Sequence, residues 1–312
     1  MTANAFYLPF EVDLMTWLQS IMPAWMTSVF YYISMFGEEL ILVGILGFLY
    51  WSCRKEFGKY VGTQIMTANV LFPLVKNIAL RKRPYMVHSE IKCLKAVDSK
   101  ADIMDISAQG YSFPSGHSLN STVVYGAIAR YTKSKILTVI AFVLPLLVGI
   151  SRFALGVHYP TDVLAGWAAG VLIIFLVPWL LKKLPKEWVY FAIVGTIGLA
   201  GFFYCKTTDF YTSYGMLVGY FLAILFEEHF VKFSDTKNIL AKILRLVIGI
   251  GLYLGLNELL KLPFPKDFLS STTTASFLVR TARYMVIVFL TVGVYPLLFD
   301  RLPFLHDWKK KE

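Results

Sequence analysis

Charge is scarce in this chain. Of its 312 residues 16% are Asp, Glu, Lys or Arg, against 57% hydrophobic, and the mean hydropathy is +0.60. So few charges cannot cover the surface of water-soluble domains, and the composition is that of an integral membrane protein. Cysteine is scarce as well: 3 Cys with no CxxC pair exclude a disulfide-dense secreted scaffold and a zinc ribbon. Internal repeats and Gly/Ser- or Pro-rich linkers are lacking, so tandem soluble domains are not expected. No basic segment precedes the first apolar stretch, where Glu11 and Asp13 stand instead, so no cleavable signal peptide is expected.

The positive charge that is present is clustered. The net charge of +10 sits in short Lys/Arg groups between apolar runs, the placement of the positive-inside rule and not that of a nucleic-acid surface. Apolar runs of about 17–25 residues predict ten spans, near 14–35, 38–53, 60–80, 117–131, 136–152, 162–181, 187–205, 213–228, 240–260 and 282–299. The first is the weakest, because Trp17, Gln19, Ser20 and Pro23 suit an interfacial helix in its opening turns. Every even-numbered exit is basic: Arg54, Lys55 and Lys59; Arg130, Lys133 and Lys135; Lys182, Lys183 and Lys186; Lys232, Lys237, Lys242 and Arg245; Lys309, Lys310 and Lys311. Both termini are therefore expected in the cytoplasm. The fold class is an all-α polytopic bundle, divided at the Lys-Pro-Lys-Glu break into residues 1–186 and 187–312.

Residues 81–116 break the charge rule, with Arg81, Lys82, Arg83, Lys92, Lys95 and Lys100 on the outer side. A bound anion would account for them. Three segments offer chemistry for it. Lys76 and Arg83, seven residues apart, fall about two turns apart on one helix face, with Pro84 ending the helix; they are either a phosphate grip or a snorkelling pair. Pro114-Ser115-Gly116-His117 leads into a helix N-terminus, either an ordinary turn and cap or an anion cradle in which Gly116 admits the ligand, Ser115 donates and His117 exchanges a proton. Ser151-Arg152, His158 and Asp162 meet at the junction of spans five and six, where Asp162 either caps a helix or orients the imidazole of His158 as a nucleophile. The loop-charge topology puts all three segments on one non-cytoplasmic face. Three cations, a helix N-terminus and two His, one with a carboxylate partner, are the parts of phosphoryl transfer through a phosphohistidine.

Lys76-x6-Arg83-Pro84, Pro114-Ser115-Gly116-His117 and Ser151-Arg152-x5-His158-x3-Asp162 together resemble the tripartite signature of the type-2 phosphatidic acid phosphatase superfamily, which also includes vanadium haloperoxidases and glucose-6-phosphatases. The resemblance covers about residues 40–180 and matches every signature position. It implies a six-helix catalytic core and hydrolysis of a phosphate ester without metal or cofactor. It also implies His158 as nucleophile, Asp162 as its orienter, His117 as general acid, and Lys76, Arg83, Ser115, Gly116 and Arg152 as phosphate ligands. About four further spans depart from the simplest pattern, and dimerisation, regulation and substrate entry are all open to them.

The expected activity is hydrolysis of a lipid phosphate or diphosphate at the outer face of a bacterial plasma membrane. A phosphatase of a soluble sugar phosphate and a lipid-phosphate transporter are the competing functions. Residues 85–113 are long for a connection and suit a lid or specificity loop. A Cys93–Cys205 disulfide is compatible with the topology. Asn257 and Glu258, polar groups in the ninth span, either line an interface or mark a span drawn too long.

Overall fold

The computed structural model describes residues 6–306; the Lys309–Lys311 cluster lies outside them. Within that range the chain is helical, with no β-strand among the described residues. The expected first span divides in two. Pro23 takes an extended backbone (φ −71, ψ 159) that separates α1 (Pro9–Ile21) from α2 (Ala24–Met35). After a break at residues 36–38, α3 (Glu39–Gly47) runs on through a π-helical turn to Cys53, and the two stretches differ in direction by 43°.

The chain then continues through α4 (Lys55–Ala79), the short turns α5 (Pro84–Val87) and α6 (Ile106–Gln109), and the long helices α7 (Gly116–Thr132), α8 (Lys135–Ala154) and α9 (Pro160–Lys183). Beyond the break at residues 184–186 come α10 (Glu187–Leu199), α11 (Thr208–Phe226), α12 (Ile239–Leu259), the short α13 (Lys266–Ser270) and α14 (Thr274–Val288). Every expected span thus has helix at its position. By length and composition 5 helical stretches can cross a membrane, namely α8, α9, α12, and α11 and α14 with their π-helical continuations, or up to 6 if the bent pair of α2 and α3 is one span. Three further expected spans stand outside that count: α4 carries Lys55, Glu56, Lys59 and Lys76, α7 is 17 residues long, and α10 with its tail forms a shorter apolar helix, Glu187–Phe203.

Ion pairs define one end of the bundle. Lys55 pairs with Glu227 at 2.9 Å, Lys59 with Glu187 at 2.6 Å, and Ser52 Oγ donates to Lys242 O at 2.7 Å. Arg245 donates to Leu305 O at 2.7 Å, which brings the last described residues to that same end. At the opposite end Arg81 donates to Phe6 O at 2.8 Å, and Thr161 N–H donates to Glu11 at 2.8 Å. The N-terminal segment consequently lies at the end where Asp162 lies. The first described residues thus share an end with Asp162, whereas the ten-span path sets the N-terminus opposite the site; α2 and α3 differ in direction by 43°.

Small residues set how closely the helices approach. A Cβ at Gly166 would lie 2.6 Å from Ser115 O, and one at Gly170 2.6 Å from Thr122 Cβ, so α9 packs directly on α7. Gly215 and Gly219 repeat the device on α11, facing the backbone of Thr281 and Met285 in α14. α10 and α11 join α4 through Thr67–Tyr190 (2.7 Å) and Tyr220–Lys59 O (3.0 Å). Ile136, Val139, Phe142, Leu172, Phe175 and Trp179 point outward from α8 and α9, the surface a bilayer would cover. Asn257 faces Arg283 at 3.0 Å across α12 and α14, whereas Glu258 pairs with Lys261 at the exposed helix end.

Candidate active site

The signature residues gather at the Arg81 end, by a route that differs in part from the expected one. α4 stops at Ala79 with Leu80 in the left-handed region (φ 52), so Arg83 stands outside the helix in extended conformation. Lys76 and Arg83 do not share a helix face. The buried Arg83 guanidinium is aimed instead by carbonyls: Gln109 O (2.6 Å from Nη2), Gly110 O (3.1 Å from Nε) and Val157 O (2.8 Å from Nη1). Its Nη1 also lies 3.2 Å from His158 Nε2.

His158 sits on a turn that α8 and α9 create. Gly156 takes φ +79, and a Cβ there would come within 2.1 Å of Lys92 O, so the tight turn needs glycine. Pro160 opens α9, as expected, and places Asp162 behind the imidazole. His158 Nδ1 faces Asp162 Oδ2 at 3.5 Å, a spacing that a bound phosphate can tighten. The same oxygen accepts from Tyr159 N–H (2.7 Å) and from the Ser112 hydroxyl, which lies 3.5 Å from His158 Nδ1. Burial, followed by the charges of Arg83, Arg152 and Lys76, holds the His158 imidazolium well below the usual histidine range, so the neutral, nucleophilic form prevails near neutral pH.

Arg152, at the end of α8, is buried with Nε and Nη1 unpartnered. Ser115 caps α7, its Oγ accepting from Ser118 N–H at 3.4 Å. Its own N–H donates to Asp162 O at 2.9 Å, which leaves the hydroxyl as the donor expected of Ser115. Gly116 faces open space: a Cβ there would meet nothing within 4 Å. His117, the next residue, lies within electrostatic reach of Arg152, His158, Lys95 and Arg83. The structure therefore brings all eight expected site residues to one end, as a cluster of cations and imidazoles around Asp162. Among the described residues no group of three or more His, Cys, Asp or Glu is arranged to hold a metal.

Several contributors were not among the expected site residues. Arg81 is buried between Asp162 (2.6 Å), Thr161 Oγ1 (2.8 Å) and Glu11 (3.1 Å), and its guanidinium stacks over Tyr159 at 4.0 Å. Lys95 pairs with Glu38 at 2.5 Å. Part of the wrong-side positive charge thus answers internal carboxylates and not a ligand. Residues 85–113 fold onto the site around Gln109, whose side chain binds Val97 N–H and Asp98 O at 2.9 and 2.8 Å. Cys93 and Cys205 are free thiols.

Comparison with known proteins gives two family matches: the PAP2 superfamily over residues 57–186, and a PAP2 superfamily phosphatase transmembrane extension over residues 211–307. Phosphatidylglycerophosphatase B of Bacillus subtilis is 41% identical over 90 residues, 26% of this chain and 44% of that protein. The matched region thus spans less than half the length of that relative. Undecaprenyl-diphosphatase of Sulfolobus acidocaldarius is 27% identical over 54% of this chain and 76% of its own. Decaprenylphosphoryl-5-phosphoribose phosphatase of Mycobacterium tuberculosis is 30% identical over 45% of this chain and 72% of its own. A crystal structure of a transmembrane PAP2-type phosphatidylglycerolphosphate phosphatase from Bacillus subtilis superposes with a TM-score of 0.45 at 26% identity, covering 57% of this chain and 87% of that one.

Proposed function

Because the chain belongs to the PAP2 superfamily, we propose that it is an integral membrane phosphatase that hydrolyses the phosphate or diphosphate of a membrane lipid through a phosphohistidine on His158. The observation that carries this is the buried Arg152 guanidinium with two unpartnered nitrogens, within electrostatic reach of Arg83. A desolvated cation left unpaired is costly, and a phosphate oxygen relieves that cost.

The chemistry follows from position. His158 Nε2 attacks phosphorus while Arg83 and Arg152 bind the equatorial oxygens and Lys76 adds a point charge. The P–O ester bond breaks, and His117 gives its proton to the leaving oxygen. Asp162 stabilises the imidazolium through Nδ1–H. Water, deprotonated by His117, then attacks phosphorus; the P–N bond breaks and inorganic phosphate leaves.

Lipid substrates are supported by apolar outer surfaces that keep a tail in the bilayer while its head group reaches the pocket. The relatives are named for phosphatidylglycerophosphate, undecaprenyl diphosphate and decaprenylphosphoryl-5-phosphoribose, all lipid-linked phosphates, and phosphatidic and sphingoid phosphates share that chemistry. The basic clusters at the opposite end support an outward-facing site, with the C-terminal end in the cytoplasm of a bacterial plasma membrane. The two family matches, on either side of residues 187–210, support a catalytic core followed by a transmembrane extension.

Free-phosphate release by purified protein in detergent with EDTA tests this, offering phosphatidic acid, phosphatidylglycerol phosphate, a sphingoid phosphate, undecaprenyl diphosphate and glucose 6-phosphate. Release that survives chelation and disappears in His158→Ala is expected. Activity retained by that variant would sink the assignment.

A further inference from the structure

Asp209 stands in the first turn of α11, two residues before the matched transmembrane extension begins, yet its carboxylate reaches Lys76 at the end of α4. Its Oδ2 lies 3.6 Å from Lys76 Nζ. The other oxygen is pinned: Oδ1 accepts from Thr207 Oγ1 at 2.5 Å and from Phe210 N–H at 2.9 Å. Thr207 in turn accepts from Asn77 Nδ2 at 2.8 Å, and Asn77 Oδ1 accepts from Lys206 N–H at 3.1 Å. The residue after Lys76 therefore fastens the 206–209 turn, and with it the carboxylate, to the end of α4. Gly110 leaves the space in front open: a Cβ there would be 3.8 Å from Asp209 Oδ2 and 4.0 Å from Arg83 Nη2. An anion bound between Arg83 and Lys76 has this carboxylate for a neighbour.

We infer that Asp209 is a built-in competitor of phosphate, a carboxylate from the first turn of α11 that shares Lys76 and weakens the hold of the site on anions. The inference rests on the phosphate-pocket reading of the preceding subsection. The contact with Lys76 is longer than a hydrogen bond, and the Asp209 side chain keeps 35% of its exposure, so it is a partner phosphate can outcompete and not a closed internal pair. Binding phosphate beside it costs repulsion, and the same repulsion speeds release of the product, which carries no lipid tail to hold it. Were Asp209 only a support for Lys76, its loss would weaken phosphate binding; as a competitor, its loss strengthens it.

The test is inhibition of the full chain in detergent by inorganic phosphate, in wild type and Asp209→Asn. Asn retains an acceptor for Thr207 and Phe210 N–H, so the turn is preserved. Ki for phosphate is expected to fall about three- to tenfold, the effect of one partly screened charge. An unchanged or raised Ki overturns the inference. Should Asp209→Asn fail to fold, Asp209→Glu, which keeps the charge, must show inhibition no tighter than wild type; tighter inhibition overturns the inference equally. His158→Ala separates the two levels: an inactive His158→Ala with an unmoved Ki in Asp209→Asn removes this inference alone, whereas an active His158→Ala removes the site on which it stands.

Discussion

Arg81 and Asp162 form a buried ion pair at 2.6 Å in which the arginine takes the carboxylate oxygen that does not face His158. Glu11 balances the guanidinium from its other side, at 3.1 Å. The N-terminal segment thereby supports the proposed site: it holds the arginine that holds the carboxylate facing His158.

Breaking that chain leaves uncompensated charge in the interior. Arg81→Met is expected to destabilise the protein by about 3–5 kcal/mol, because two buried carboxylates lose their shared cation. Thermal unfolding in detergent measures it, and a melting temperature unmoved from wild type would show that the network is not structural. Ser112→Ala is milder. It removes one donor to Asp162 and is expected to lower kcat roughly tenfold with KM little changed.

His117 is assigned the proton for the leaving oxygen, so the effect of removing it must depend on the leaving group. His117→Ala is expected to cost about 100-fold or more in kcat with an alkyl phosphate lipid, and much less with an aryl phosphate whose oxygen leaves without protonation. Equal losses on both substrates would contradict the general-acid role.

The pH profile follows from the depressed His158 titration. In the free enzyme burial and three cations disfavour the imidazolium, so the nucleophile stays neutral as pH falls through the ordinary histidine value of 6.5. The acid limb of kcat/KM attributable to His158 is expected below that value. Arg83→Gln removes the cation 3.2 Å from Nε2 and should raise the histidine pKa, moving the limb of its residual activity toward neutral pH. A limb that moves the other way, or one that lies above 6.5 in wild type, would overturn this account.

Much of the site was legible because phosphoryl transfer demands particular residue types at particular spacings. Lys76, Arg83, Ser115, His117, Arg152, His158 and Asp162 could be grouped before any coordinates, since loop charge put their segments on one end. Arg81 and Glu11 could not. Nothing local distinguishes a buried arginine that answers a carboxylate from one that answers a ligand, and Glu11 precedes its partners Arg81 and Thr161 by far too many residues for any periodicity to register. The N-terminal path misled for a similar reason. Hydropathy reports apolar length but not direction, so residues 14–35 and 38–53 read as two separate spans where the two stretches differ in direction by only 43°. Asp209 carries no local signal either, its contact with Lys76 being a product of tertiary packing.

The closeness of α7 and α9 is a precondition for the whole site, because Ser115 N–H reaches Asp162 O at 2.9 Å only when the two helices nearly touch. Gly166 permits that approach: a Cβ there would sit 2.6 Å from Ser115 O and 2.9 Å from Ser118 Cβ. Backbone cannot yield as a side-chain tip can, so Gly166→Ala must push α7 away from α9 or strain both. The expected cost is about 1–3 kcal/mol of stability, together with loss of kcat out of proportion to the folded fraction, since the helix that carries His117 moves relative to the one that carries Asp162. Gly195→Ala is the control, because a Cβ there meets nothing within 4 Å. Paired melting curves and phosphate-release rates decide the matter: if Gly166→Ala matches Gly195→Ala in both, the contact between the helices does not set the geometry of the site.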